Sequence, residues 1–257
     1  MRDDRVAGEE PLEIRLRAGG RSKTIAITMR TPGHDFELAA GFLFAEGVIA
    51  GLDDLREMTY CLDGSVGADQ QYNIVNVDLV RRELPDLVAL ERHFTTTSAC
   101  GICGRASLEA LRERGVPSVT SALTLAPEII SGLPSALRER QRLFASTGGL
   151  HAAALFDARG TLLIVREDVG RHNAFDKLIG AALLERPLPL ADGIVLVSGR
   201  ASYELVQKTI AAGVPVLCAV SAPSSLAVTL AEDFGVTLAG FVRGDRFNVY
   251  AHDERIA

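Results

Sequence analysis

From about Ala126 to Val242 the chain alternates short apolar runs with helix-length segments, and few folds accept that rhythm. The spacing predicts a helix over Pro127–Arg140, interrupted near Gly132 and Pro134, then two strands, His151–Phe156 and Thr161–Val165, joined by Asp157-Ala158-Arg159-Gly160 as a β-hairpin. Helix Asn173–Leu184, strand Ile194–Val197, helix Tyr203–Ala212, strand Pro215–Val220, helix Ser225–Phe234 and strand Val236–Val242 follow. The order α-β-β-α-β-α-β-α-β implies right-handed crossovers, largely parallel pairing and a sheet covered by helices on both faces. Such a sheet gathers the loops that follow its strands on one edge, beside helix N-termini. Those loops read Ser198-Gly199-Arg200, Ser221-Ala222-Pro223-Ser224 and Arg243-Gly244-Asp245-Arg246. Small residues admit close backbone approach, and helix starts with arginines favour anions, so this edge suits a phosphorylated ligand. Ser and Gly are equally ordinary as turn and cap residues.

The first part of the chain is mixed. Leu12–Leu16 and Lys23–Met29 alternate as half-buried strands around Ala18-Gly19-Gly20. Asp35 is expected to cap a helix running to about Phe44, with Gly47 as its stop, and Tyr72–Val80 and Val88–Thr95 read as strands. A boundary between Gly115 and Pro127 divides an N-terminal α+β domain, residues 1–120, from a C-terminal three-layer α/β/α domain, residues 121–257. The uncharged run Thr209–Ala231 is long enough to span a bilayer, but Gly213, Pro215 and Pro223 break the continuous helix that spanning requires. Helix end, buried strand, turn and new helix fit it better, and no membrane association is expected.

The net charge of −6 argues against nonspecific nucleic-acid binding, which needs a basic stripe. Met1–Arg15 is charged and lacks the apolar centre of a signal peptide, so a cytoplasmic setting is expected. In that reducing setting a close cysteine pair is reactive or metal-binding rather than a structural bridge. Cys100 and Cys103 form such a pair in the small-residue stretch Thr95–Arg105, which runs into a helix, Ala106–Arg114. Unpaired N–H groups at a helix start and the Arg105 charge both favour thiolate over thiol. Three chemistries stay open on these residues: metal or iron–sulfur ligation, which would need two further ligands where only His93 is near; thiol–disulfide exchange; and persulfide carriage. Cys218, in an apolar strand, reads as a core residue, and Cys61 has no assignment. In Arg166–Asn173, His172 is a candidate acid/base that Asp168 could orient, or Asp168 could pair with Arg171. No G-x-S-x-G, P-loop, G-x-G-x-x-G or H-E-x-x-H is present, so the hydrolase, nucleotidase and Rossmann dehydrogenase readings lack their residues.

Four segments together, Cys100–Gly104, Asp168–Lys177, Ser198–Ser202 and Gly240–Tyr250, resemble the FdhD/NarQ family of formate dehydrogenase accessory proteins. The resemblance implies a sulfur carrier, a sulfurtransferase that takes persulfide sulfur from a cysteine desulfurase. The sulfur goes to the molybdenum (or tungsten) bis-molybdopterin guanine dinucleotide cofactor destined for formate dehydrogenase. Carried over by residue, Cys100 would bear the persulfide and Cys103 would support it. Phe241, Val242, Arg243, Gly244, Asp245 and Arg246 would match the family's cofactor-binding stretch, with Ser198, Arg200, Ser221 and His172 as further candidates. The resemblance also implies a homodimer and a C-terminal domain related to the cytidine deaminase fold. The zinc-ligand positions of that fold here fall on Arg171-His172-Asn173 and Ser198–Ser202, with no cysteine, so neither zinc nor deamination is implied. Two rival readings remain: a cofactor-binding chaperone without sulfur transfer, and a thiol–disulfide oxidoreductase.

Overall fold

The computed structural model describes residues 4–64, 66, 67, 70–85, 112, 115–186 and 188–257. Cys100, Cys103, the expected strand Val88–Thr95 and, but for Arg112, the expected helix Ala106–Arg114 lie outside the described residues.

Two sheets organise the described chain, making it a mixed α/β protein. The first joins β1 (Glu10–Ala18), β2 (Arg21–Arg30), β3 (Leu55–Tyr60) and β4 (Ile74–Leu79) in the order β2-β1-β4-β3. Gly19 and Gly20 turn β1 into β2 with φ of 55° and 78°, the two positive values a type I′ hairpin needs. β1 then pairs with β4 in parallel, which a reading from short-range patterns does not anticipate. Helix α1 (Asp35–Ala45) begins one residue earlier than a cap at Asp35 would place it. His34 takes the cap position with φ 59°, and Asp35, the first helical residue, is buried with both carboxylate oxygens 3.1 Å from the Arg30 guanidinium. The acidic side chain is spent on a buried ion pair rather than on the helix N–H groups.

The second sheet has the order β10-β9-β8-β7-β5-β6. Its approach is α2 (Pro127–Arg140) and α3 (Arg142–Thr147); β5 (His151–Phe156) and β6 (Leu162–Asp168) form the expected hairpin. Helix α4 (Arg171–Glu185), β7 (Ile194–Val197), α5 (Tyr203–Ala211), β8 (Val216–Ala219), α6 (Ser225–Phe234), β9 (Thr237–Arg243) and β10 (Arg246–Ala251) complete it. Only β7-β8-β9 pair in parallel; β6, β5 and β10 are antiparallel to their neighbours. The expectation of largely parallel pairing is corrected here, because hairpins at both flanks return the chain locally. Helix α2 runs unbroken through Pro134: Ile130, Leu133 and Leu137 bury one face on the sheet, and that packing outweighs the hydrogen bond that proline removes.

Alternate residues of each central strand serve opposite layers. Ala152, Ala154, Ile194, Leu196, Val216 and Cys218 pack against α2. Ala153, Leu155, Val195, Val197, Leu217 and Ala219 pack against α4, α5 and α6. The run Thr209–Ala231 is therefore helix end, strand and new helix as expected, and among the described residues no helix is long and apolar enough to cross a membrane.

The two sheets meet through α1 and α4. A Cβ on Gly41 would stand 1.9 Å from the Asp176 carbonyl oxygen, and one on Gly180 1.8 Å from that of Glu37, so only glycine permits this backbone approach. Charge pairs cross or flank the seam: the half-buried Arg166 with Glu37, and the buried Lys208 with Asp176 and Lys177 with Asp168, the last at 2.7 Å. Burial drives the Glu37 carboxyl upward, but hydrogen bonds from Arg166 and His34 outweigh it and hold the group at about 2.

Candidate functional site

Because β6, β7, β8 and β9 all point the same way, their C-terminal ends share one edge, to which the start of β5 also comes. Backbone hydrogen bonds stitch the edge together. Val220 N–H donates to Val197 O at 3.0 Å, Ser221 N–H to Gly199 O at 3.2 Å, Phe241 N–H to Ser221 O at 3.1 Å and Ser224 N–H to Ala201 O at 3.0 Å. The three loops singled out by sequence, with Ser198, Arg200, Ser221 and Arg243 among them, are thus neighbours in space.

The third of these loops is a hairpin turn rather than a passage into a helix. Gly244 and Asp245 join β9 to β10, and the pairs Arg246↔Arg243 and Asn248↔Gly240 leave one extra residue on β9. Phe241 sits in that bulge with φ 52°, a left-handed conformation that an aromatic residue rarely adopts, and its side chain stays exposed. Backbone of this kind persists only when its surroundings fix it, and it clusters at ligand sites. Gly240 supplies the room: a Cβ there would lie 2.9 Å from Pro223 Cδ and 3.0 Å from the Tyr250 ring. Val242 returns to the core against α2, while Arg243 bends across the end of β8, its Nε 3.1 Å from Val220 O. Arg246 and Asp245 are almost fully exposed, 3.9 Å apart. Arg200, Arg243 and Arg246 therefore give the edge a cationic rim in an otherwise acidic chain.

The Asp168–Lys177 segment turns out to hold this edge in place. Asp168 is fully buried and accepts hydrogen bonds from Thr31 N–H (3.1 Å), Gly170 N–H (2.8 Å) and Asn173 Nδ2 (3.1 Å) besides the Lys177 ammonium. Lys177 in turn donates to Thr31 O at 2.7 Å, and Asn173 Nδ2 to Met29 O at 2.7 Å. This cluster ties the end of β2 to the start of α4. Asp168 neither orients His172 nor pairs with Arg171, because Lys177, one and a half turns into α4, is the cation that reaches it. His172 instead lies 2.6 Å from Glu204 and 3.4 Å from Ser202 Oγ, and its hydrogen bond to Glu204 holds that carboxyl below its ordinary range. Arg171 leaves a buried Nε without a hydrogen-bond partner among the described residues at the same edge. Burial, with the Arg171 charge beside it, lowers the pKa of His151, so its imidazole is neutral at physiological pH.

Cys218 is buried in the sheet with its thiol pushed up to about 12 by burial, which makes it an inert core residue. Cys61 is also buried. Among the described residues no cluster of three or more His, Cys, Asp or Glu side chains is placed to hold a metal ion. Sequence reading did not place Gln141 and Phe144, which the short helix α3 and the turn before it bring to the mouth of the edge beside His151 at the start of β5; α3 has no periodicity long enough to reveal it.

The model of the FdhD/NarQ family matches residues 7–257. Relatives named Sulfur carrier protein FdhD are similar throughout. That of Streptomyces avermitilis is 54% identical, over 100% of this chain and 90% of the relative. That of Mycobacterium tuberculosis is 50% identical, over 99% of this chain and 92% of the relative.

 That of Nocardia farcinica is also 50% identical, over 99% of this chain and 89% of the relative. The crystal structure of a Desulfotalea psychrophila protein, provisionally assigned as a formate dehydrogenase accessory protein, superposes with a TM-score of 0.75 at 28% identity. That similarity covers 100% of this chain and 92% of the crystallised one. The chain belongs to the FdhD/NarQ family.

Proposed function

We propose that this chain is a cytoplasmic sulfur carrier that serves formate dehydrogenase, acting as a sulfurtransferase through a persulfide on Cys100. The whole-length family match, with relatives named as sulfur carriers, carries this reading. In the first step the Cys100 thiolate attacks the terminal sulfur of a persulfide on a cysteine desulfurase. The bond between that sulfur and the desulfurase cysteine breaks, the desulfurase leaves as a thiolate, and Cys100–S–SH forms with no net change in oxidation state. Cys103 would support the loaded cysteine.

The recipient is cargo: a molybdenum or tungsten bis-molybdopterin guanine dinucleotide whose metal takes the sulfur. Its nucleotide ends are anionic, and the edge formed by Phe241–Arg246 with Ser198, Arg200 and Ser221 suits them. Arg200, Arg243 and Arg246 supply charge, and the Nε of Arg171 is a buried donor without a partner among the described residues. Sulfur would thus be carried by residues 1–120 and cargo bound by residues 121–257, a domain we read as a cytidine-deaminase-like fold kept without zinc. Association as a homodimer belongs to the same proposal.

Intact-protein mass spectrometry after incubation with a cysteine desulfurase and cysteine tests the carrier role. We expect a gain of one sulfur, about 32 Da, that reductant removes and Cys100→Ala abolishes. No gain, or active formate dehydrogenase matured by Cys100→Ala, would overturn it in favour of a chaperone without sulfur transfer. Turnover of a disulfide substrate would point to the oxidoreductase instead.

A further inference from the structure

Among the described residues β6 is the last strand of the second sheet, with no strand on its outer side. Its end, Asp168, reaches the strand-end edge; its start lies away from that edge. There, between β6 and the junction of α2 with α3, is a cleft of about 380 Å3 lined by Leu162, Leu163, Val165, Arg140 and Arg142.

Local backbone builds both of its features. In the β5–β6 ladder Leu162 faces Phe156 and Ile164 faces Leu155, which leaves Leu163 as the extra residue of a bulge. A bulge re-aims its side chain, and Leu163 stands 37% exposed between Leu162 and Val165. Arg140 and Arg142 would lie on opposite sides of a continuous helix, because residues two apart are separated by about 200°. Gln141, with ψ 74°, ends α2 and opens α3, and that turn brings both arginines to one cleft. Both are exposed, and neither has a carboxylate partner among the described residues. Glu167, on the same face of β6 as Val165, is engaged elsewhere: it accepts from Leu143 N–H at 3.1 Å and Phe144 N–H at 2.8 Å. The Arg138 guanidinium, 4.5 Å from the centroid of the Phe144 ring, braces the same short helix.

An outward leucine on an open strand edge is a surface that native proteins cover or guard with charge. Here the guarding charges are of one sign. A second copy related by a two-fold axis through this cleft would set arginines against arginines, so the cleft is unsuited to itself. It suits an apolar side chain flanked by carboxylates, which arginine pairs with most strongly. The cleft belongs to residues 121–257, read above as the half that holds the cargo, whereas the desulfurase must reach Cys100. Resting on that reading, we propose that the cleft docks an extended acidic segment of the formate dehydrogenase that receives the cargo. An apolar side chain of that segment sits on Leu163, between carboxylates paired with Arg140 and Arg142.

Biolayer interferometry with formate dehydrogenase purified from cells lacking this accessory chain tests the proposal, using the full-length protein and three variants. We expect binding that weakens as salt rises and that Arg140→Glu/Arg142→Glu weakens by about tenfold or more. Leu163→Asp should weaken it as strongly, by placing a charge of the wrong sign on the floor of the cleft. Arg159→Glu, a charge reversal on the β5–β6 turn outside the cleft, should bind as the wild type does; its side chain is 86% exposed. Because every substituted residue is exposed, the variants should keep the wild-type melting midpoint. They should also keep the calorimetric affinity for GDP, a soluble stand-in for the nucleotide ends of the cargo. Unchanged affinity for formate dehydrogenase in either cleft variant, or an equal loss in Arg159→Glu, would overturn the cleft assignment. Slower persulfide loading by the desulfurase in such a variant would hand the cleft to the donor protein instead. Lost GDP affinity in Arg140→Glu/Arg142→Glu would assign these arginines to the cargo and overturn the docking role. Absence of formate dehydrogenase binding by the wild-type chain would overturn the reading of its client, and this inference with it.

Discussion

Replacing Asp168 by Asn separates an architectural role from a catalytic one. Asp168 and Lys177 are 2.7 Å apart at 0% and 1% side-chain exposure, and the carboxylate takes three further hydrogen bonds. An amide in its place keeps the volume but leaves the Lys177 charge in the core without a counter-charge. Breaking one side of a buried pair costs about 3–5 kcal/mol. In a chain of 257 residues each kcal/mol moves the melting midpoint by roughly 2–4 °C, so the transition should fall by about 10 °C. Calorimetric melting and urea titration measure it. The companion variant Asp168→Leu/Lys177→Met removes both charges and should recover much of the loss, because paired buried charges contribute little net stability over apolar residues of similar size. Wild-type melting of Asp168→Asn together with failed maturation of formate dehydrogenase would refute the argument and return Asp168 to the chemistry.

Gly180→Ala places a methyl 1.8 Å from the Glu37 carbonyl oxygen, so α1 and α4 must part. Overpacking should destabilise by about 1–3 kcal/mol in urea titration, against alanine's helix preference of about 1 kcal/mol, and a stabilised variant would contradict the seam's tightness. Glu37, held at about 2 against an ordinary 4.5, contributes stability that is fully present above pH 4.5 and lost as pH falls toward 2. Its partial exposure reduces the contribution to about 1–2 kcal/mol, and Glu37→Gln should flatten the acid limb of the melting profile by that amount. Phe241→Gly relieves the left-handed conformation and should stabilise the fold by about 1 kcal/mol while weakening GDP binding; unchanged binding would remove Phe241 from the site.

Local pattern was enough for the β1–β2 and β5–β6 hairpins, the helix–strand alternation after Pro127 and the three loops at the strand ends, though not for the β9–β10 hairpin, because each of the former depends on spacing within a few residues. The motif Asp168–Lys177 was visible as a motif but not as a clamp. Its partners Thr31 and Met29 lie well over a hundred residues upstream, and no periodicity records such a meeting. The same holds for Asp35, which sequence rules assign to a helix cap and the fold assigns to Arg30.

By itself, then, the amino-acid order determined the apolar alternation that makes a helix-covered sheet, the glycine and arginine content of the strand-end loops, and the family's motifs. Tertiary structure decided the parallel pairing of β1 with β4, the glycine-lined seam between α1 and α4, and the bulge that turns Phe241 outward. It also decided that Gln141 stands buried where α2 meets α3. Each of these rests on contacts between segments far apart in the chain, whose free energy depends on which surfaces are brought together rather than on the residues of either segment alone.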